Sequence, residues 1–200
     1  MARSFAQLAR TAEKTKGSVA VPKEPLDHPP LQIHTLGNGV LRQSTRRIGK
    51  LDESVRDLVR DMLRSMYAAK GIGLAAPQVG FQKRIIVADV SKQDEERDPY
   101  QMVNPEVIWS SPEQFDYEEG CLSLPDQYAD VSRPRLVRIR YLDRNGSSQI
   151  VEAEDLLAVC LQHEVDHLEG ILFVDHITKL KRDLILRKLR KMKKLEKKAG

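Results

Sequence analysis

The sequence predicts an α+β fold, and three observations carry that expectation. Two stretches have apolar residues at helical spacing, one beginning near Leu51 and one near Glu154. Between them lies a series of short extended segments broken by turn residues. Those segments follow one another without intervening helices, so the order is not that of a βαβ protein with a parallel sheet.

Residues 17–32 contain Pro22, Pro25, Pro29 and Pro30, which no regular helix survives, so residues 1–32 read as an extended arm. Val55, Leu58, Val59, Met62, Leu63 and Met66 form the apolar stripe of the first helix. Asp52 suits its N-cap, and Gly71 stands just past its end. Arg84–Val90 reads as a buried strand and residues 91–100 as a solvated loop. Met102–Trp109 and Phe115–Cys121 read as extended. In Arg135–Leu142, Val137, Ile139 and Tyr141 alternate with Arg138 and Arg140, and Asn145-Gly146 then marks a hairpin turn. The second helix runs from Glu154 to Leu168, with acids in its first turn and Gly170 beyond it. A third helix starts near Leu180, where Leu180, Leu184, Ile185, Leu189 and Met192 make one apolar stripe. There are no internal repeats. The resulting division is an arm over 1–32, a catalytic unit over 33–178 and a basic helix over 179–200.

At 200 residues the chain can bury a single core. Its 40% hydrophobic and 31% charged content excludes collagen, a coiled-coil rod and a wholly disordered chain. The longest apolar run, Leu156 to Leu161, is far too short to span a membrane. Two cysteines make no disulfide framework, and residues 1–30 lack the apolar core of a secretory signal, so a reducing, cytoplasmic setting is expected. Residues 1–16 are polar and poor in acids, which leaves an organellar address open. The net charge of +4 hides a split: residues 179–200 hold eleven Lys/Arg against two acids, while the rest of the chain is mildly acidic. A basic tail of that kind suits a polyanion such as RNA, and equally a merely solvated helix end.

The chemistry lies in His163-Glu164-Val165-Asp166-His167 on the second helix. Histidines at i and i+4 share one face, so both rings can turn to one cation, and Glu164 can reach water at that ion. With five His in the chain, an HExxH is expected by chance only about 0.01 times. The alternative, a pair of solvated histidines, fits poorly with the apolar run that precedes His163. A catalytic site needs a third ligand and an open position. Downstream, Phe173 stands where one familiar arrangement has its third His, and the only acidic Glu beyond Glu169 is Glu196, deep in the tail. Asp175, His176 and Asp183 are formal alternatives. Cys121, in Glu118-Glu119-Gly120-Cys121-Leu122-Ser123-Leu124-Pro125, is the better candidate, because a thiolate with two imidazoles suits Zn²⁺ or Fe²⁺. Cys160 reads as an inert buried thiol.

Three motifs therefore stand in order: Gly71-Ile-Gly-Leu-Ala-Ala-Pro-Gln78, Glu119-Gly120-Cys121-Leu122-Ser123 and Gln162-His163-Glu164-Val165-Asp166-His167. Together they resemble the peptide deformylases of bacteria and organelles, over about residues 33 to 178 including the stretch from His34 to Arg42. The resemblance implies antiparallel sheets packed around a central metal-binding helix. It implies a metal-dependent hydrolase that removes the N-formyl group from the N-terminal methionine of nascent polypeptides and releases formate. It assigns Cys121, His163 and His167 to the metal, Glu164 to acid–base work, and Gln78 and the Leu122 N–H to the formyl oxygen. Ile72, Tyr117, Leu156, Val159 and Cys160 would line a methionine pocket, and extended backbone at Ile72–Gly73 and Gly120 would pair with the peptide. Of these, Leu156, Val159 and Cys160 also share one helical face by spacing alone, which ordinary core packing would equally explain. The metal implied is Fe²⁺, with Zn²⁺, Ni²⁺ and Co²⁺ further candidates for the isolated protein. Because such substrates emerge from ribosomes, the basic tail is expected to meet ribosomal RNA, and deleting residues 181–200 is expected to spare activity on short peptides. Two rivals stand beside this reading: a metallopeptidase cutting internal bonds, which the missing downstream ligand disfavours, and an inactive metal-binding module, which needs neither Glu164 nor Gln78.

Overall fold

A computed structural model describes residues 29–91 and 99–199. Residues 1–28, most of the arm, and 92–98, most of the predicted solvated loop, lie outside the described residues. Three helices, α1 (Glu53–Ala68), α2 (Asp155–Leu168) and α3 (Lys179–Ala199), accompany seven strands. Strands β1 (Gly73–Ala75), β2 (Ile85–Ala88), β3 (Tyr100–Ser110), β6 (Leu136–Leu142) and β7 (Ser148–Glu154) form one antiparallel sheet in the order β1-β2-β3-β6-β7. Strands β4 (Gln114–Cys121) and β5 (Leu124–Pro134) form a separate hairpin.

Helix α1 begins where the Asp52 carboxylate accepts the Val55 N–H, and its first turn carries Glu53, the sign the helix dipole favours. It ends on a left-handed Lys70 (φ 56°), while the Gly71 N–H returns to the Met66 carbonyl at 2.9 Å. The glycine after the helix is thus not the left-handed residue. It is small because a Cβ there would lie 2.7 Å from the Leu122 side chain.

The sheet is covered on both faces. Ile85 and Val87 of β2 meet the α1 stripe, together with Leu74 and Val103. Ile86 and Ala88 point the other way and join Met102, Val137, Ile139 and Ala153 over Ala158, Leu161 and Leu168 of α2. This two-sided burial explains why β2 is continuously apolar and does not alternate. A third cluster ties the hairpin residues Leu124 and Val131 to Leu172, Phe173 and Val174 and to Ile185 and Leu189 of α3.

Two differences from the sequence reading matter. Strand β5 is not foreseen, because Pro125, Asp126, Asp130 and Pro134 read as loop residues. They are tolerated in a two-stranded ribbon whose outer edge needs no partner, and Asp126 takes a left-handed conformation (φ 58°). The predicted single stripe on α3 also divides. Ile185 and Leu189 are buried and Met192 packs beside them, whereas Leu180 and Leu184 face solvent. Deletion from residue 181 would therefore strip the Ile185 and Leu189 side chains from the third core.

Candidate active site

Helix α2 supplies one rigid half of the site. Its spacing puts His163 and His167 one turn apart, with ring centroids 5.0 Å from each other. The β4–β5 hairpin supplies the other half. A register shift between Gly120 and Cys121 displaces Cys121 from regular pairing at the two-residue turn of Leu122 and Ser123. Cys121 Sγ lies 3.3 Å from His167 Nε2, and one ligand atom from each of Cys121, His163 and His167 falls within 4.8 Å of the others. Tetrahedral bonds of metal–ligand length give edges of roughly 3.3–3.6 Å, so the cluster has the scale of a metal site. The sulfur from upstream is thus the third group beside the two histidines, while His176 and Asp175 pair elsewhere, with Asp166 and Arg42 respectively.

The charges around the triad fit a cation. His163 Nδ1 is 2.7 Å from Glu119 Oε2, which leaves Nε2 to face the site. Burial alone would lower the His163 pKa, but Cys121 and Glu119 outweigh it and drive the value well up, so the surroundings demand positive charge at this point. Burial, reinforced by His163, pushes His167 well below its ordinary value and keeps it neutral, the form that binds metals. Glu119 is itself held below the usual carboxylate range. Its burial opposes this, but hydrogen bonds from His163 and Arg133 prevail.

Glu164 sits beside the triad and is 4% exposed. Among the described residues its Oε2 is buried with no hydrogen-bond partner, and burial lifts the carboxyl to about 7. A buried carboxylate oxygen left without a donor is costly unless something else occupies its face. Strand β1 passes close by. A Cβ on Gly73 would lie 2.3 Å from Glu164 Oε1 and 2.9 Å from Cys160 Sγ, so only glycine lets the strand approach.

Gln78 is 1% exposed, and its amide is oriented by its neighbours. Oε1 accepts the Ala75 N–H at 2.8 Å, which turns the NH₂ group toward Ser123 Oγ (3.2 Å) and Cys121 Sγ (3.6 Å). The loops carrying Gln78 and Leu122 are bridged by the segment before the first helix: the His34 N–H donates to the Gln78 carbonyl and the Leu36 N–H to that of Ser123.

A cavity of about 450 Å³ opens over these groups, a size suited to a small ligand. Its walls include Ile72, Gly73, Tyr117, Gly120, Leu156, Val159 and Cys160, with Gln78, Cys121, Leu122, His163 and Glu164 beside them. His167 is buried and is not on the wall. The structure therefore brings together the residues that the sequence and the resemblance assign to the metal, the acid–base step, the formyl oxygen and the methionine pocket, but not the alternatives Asp175, His176 and Asp183. It adds some that were not so assigned: Ser123, which holds the Gln78 amide, Tyr128 at the mouth, and the buried Arg133 with the half-buried Asp166 behind Glu119.

Known proteins show the same arrangement of chain. The family model of polypeptide deformylase matches residues 30–183. Peptide deformylase 2 of Prochlorococcus marinus (strain MIT 9313) is 67% identical over 178 residues, 89% of each chain. The peptide deformylase of Synechococcus sp. (strain CC9311) is 55% identical, over 89% of this chain and 88% of its own. Among solved structures, a Synechococcus elongatus peptide deformylase in complex with actinonin superposes with a TM-score of 0.82 at 44% identity, covering 86% of this chain and 94% of that one. One from Ehrlichia chaffeensis gives 0.79 at 38% identity, over 83% and 98%. With a family match over most of its length and two relatives more than half identical to it, this chain belongs to the polypeptide deformylase family.

Proposed function

We propose a division of labour among these residues for the reaction of the family, removal of the N-formyl group from nascent polypeptides. Cys121, His163 and His167 hold the metal. When bound there, the metal supplies Lewis acidity, acidifying water and polarising a carbonyl. Glu164 takes the proton of the attacking water and later delivers it to the departing amine, so that formate and a free amino terminus leave. The Gln78 NH₂ and the Leu122 N–H donate to the formyl oxygen as charge builds on it. Ile72, Tyr117, Leu156, Val159 and Cys160 receive the methionine side chain. The peptide backbone adds beside Ile72–Gly73 and Gly120, and β1 is well suited to this because among the described residues it is an edge strand paired with β2 alone.

The observation that carries this reading is the unpartnered oxygen of Glu164 beside a Cys/His/His cluster at the base of a cavity. Glu164→Ala is expected to keep about one metal per chain and to lose nearly all formate release from formyl-Met-Ala-Ser. Near-wild-type turnover would remove Glu164 from its role, and cleavage of an unformylated peptide would favour the metallopeptidase. Fe²⁺ is the proposed physiological ion, with Zn²⁺, Ni²⁺ or Co²⁺ as substitutes; metal analysis after anaerobic purification decides between them.

The same reading sets the protein among nascent chains in the bacterial cytoplasm, with an organellar address the alternative. No helix of the described residues is long and apolar enough to cross a membrane. Residues 33–178 form the catalytic unit, and α3 packs on it through Ile185 and Leu189 while Lys181, Lys188 and Lys191 face outward toward ribosomal RNA. Replacing those three lysines by Glu tests this without cutting into the core. Co-sedimentation with ribosomes should fall steeply at low salt while peptide activity persists. Unchanged co-sedimentation would discard the contact.

A further inference from the structure

Behind Glu119 lies a chain of charged groups that the reaction above does not use. Arg133, on β5, is 4% exposed, and its guanidinium is engaged on two sides. Nε and Nη2 grip the two oxygens of Glu119 at 2.5 and 3.1 Å, and Nη1 reaches Asp166 Oδ2 at 2.8 Å. The same Oδ2 lies 2.7 Å from Nε2 of His176, which is partly open to solvent. Asp166 lies on α2 between the two histidines of the cluster, whereas Glu119 and Arg133 belong to the hairpin that carries Cys121. The chain therefore spans the two halves of the site. Each contact pairs a donor with a carboxylate at hydrogen-bond distance, and the planar guanidinium fixes the direction of the Glu119 carboxylate as well as its charge. The free rotation of a carboxylate would otherwise let His163 turn about its own bonds, and imidazoles at metals depend on just such a partner for their orientation.

We infer that Arg133, anchored on its far side by Asp166 and His176, is a positioning residue that locks Glu119 against His163 and thereby sets how long the Cys121/His163/His167 site retains its metal. Arg133 contributes the fixed fork, Asp166 binds that fork to the helix bearing the histidines, and His176 closes the chain at the surface by donating to Asp166. The inference rests on the metal role of the Cys/His/His cluster.

The test loads the full-length protein with Zn²⁺ and follows release of the ion to a chromogenic chelator. Wild type, Arg133→Lys, His176→Leu and His176→Gln are compared, and melting temperatures are measured with and without metal. Arg133→Lys keeps the charge and loses the fork, so release should quicken by about 10–100-fold. His176→Leu should quicken it several-fold without changing the melting temperature of the metal-free protein. His176→Gln, whose amide can donate in place of Nε2–H, should restore the wild-type rate. Should Arg133→Lys fail to fold, the His176 pair decides. Release at the wild-type rate from a folded His176→Leu, or equal acceleration in His176→Leu and His176→Gln, overturns the assignment. So does a faster release that merely tracks a fall in metal-free stability. If wild type itself takes up no stoichiometric Zn²⁺, the metal reading fails and not this inference alone.

Discussion

Gly73→Ala adds one methyl group and tests whether Glu164 works from the position seen here. The new Cβ would stand 2.3 Å from Glu164 Oε1 and 2.9 Å from both the Glu164 carboxyl carbon and Cys160 Sγ. Ordinary contact begins near 3.4 Å, so the carboxylate must retreat by about 1 Å, and misplacement on that scale costs about 10²-fold in rate. That corresponds to about 2.7 kcal/mol of lost transition-state stabilisation. Gly73 does not occupy the left-handed region, so alanine meets no backbone strain. The assay is formate release from formyl-Met-Ala-Ser, with metal content and melting temperature measured beside it. Gly39→Ala, where a Cβ meets nothing within 4 Å, serves as the neutral control. A Gly73→Ala protein that keeps its metal and works within a few-fold of wild type would refute the reasoning. It would mean that β1 yields easily, or that Glu164 acts from elsewhere.

Gln78→Ala should slow turnover by about 10²–10³ if its amide is a preorganised donor to the formyl oxygen, with metal content unchanged. It should also lower the melting temperature, because the buried Ala75 N–H loses its acceptor, at about 1–3 kcal/mol. Val159→Phe narrows the cavity and should raise KM for formyl-methionyl peptides; an unchanged KM would argue against a pocket role. Deleting residues 181–200 removes Ile185 and Leu189 and uncovers Leu124, Val131 and Phe173. Leu189→Ala alone should cost about 2–5 kcal/mol, a fall of roughly 4–20 °C, and the deletion more; a deletion mutant as stable as wild type would show that α3 does not pack as described.

The sequence is most informative where chemistry and local geometry coincide. An HExxH on a helix needs nothing distant to align its two rings, so the helical half of the site is legible from spacing alone. Cys121 is legible only through elimination and resemblance, because a hairpin turn and a register shift, both properties of pairing with β5, carry it to the helix. Arg133 escapes notice for a related reason. On β5 the inward slots are Gln127, Ala129, Val131 and Arg133, a period of two that would have flagged a buried arginine had the segment been read as a strand. Its prolines and aspartates hid that period. The α3 stripe misleads in another way. A spacing argument gathers Leu180, Leu184, Ile185, Leu189 and Met192 on one face, yet among the described residues the hairpin and connecting turn cover only the last three, and Leu180 and Leu184 are left exposed.

The division of the site between two elements has an energetic consequence. Helix α2 would hold its histidines at nearly fixed separation whether or not the hairpin were docked, whereas Cys121 arrives only with the hairpin. What docks it is partly the apolar cluster of Leu124 and Val131 with Phe173 and α3, and partly the buried Glu119–Arg133 ion pair with its half-buried extension to Asp166. Apolar packing is tolerant of small slips, and a sulfur displaced by 1 Å would no longer meet both rings. The ion pairs are directional, and breaking one by removing a single partner costs about 3–5 kcal/mol because the other charge stays buried. Against replacement by well-packed apolar groups such pairs add little net stability, so bulk stability alone does not account for the buried Glu119–Arg133 pair and the half-buried Asp166 beside it. Geometry does: the fork of Arg133 fixes one carboxylate of the hairpin and one of the helix, and with them the distance across which three ligands must close on a single ion.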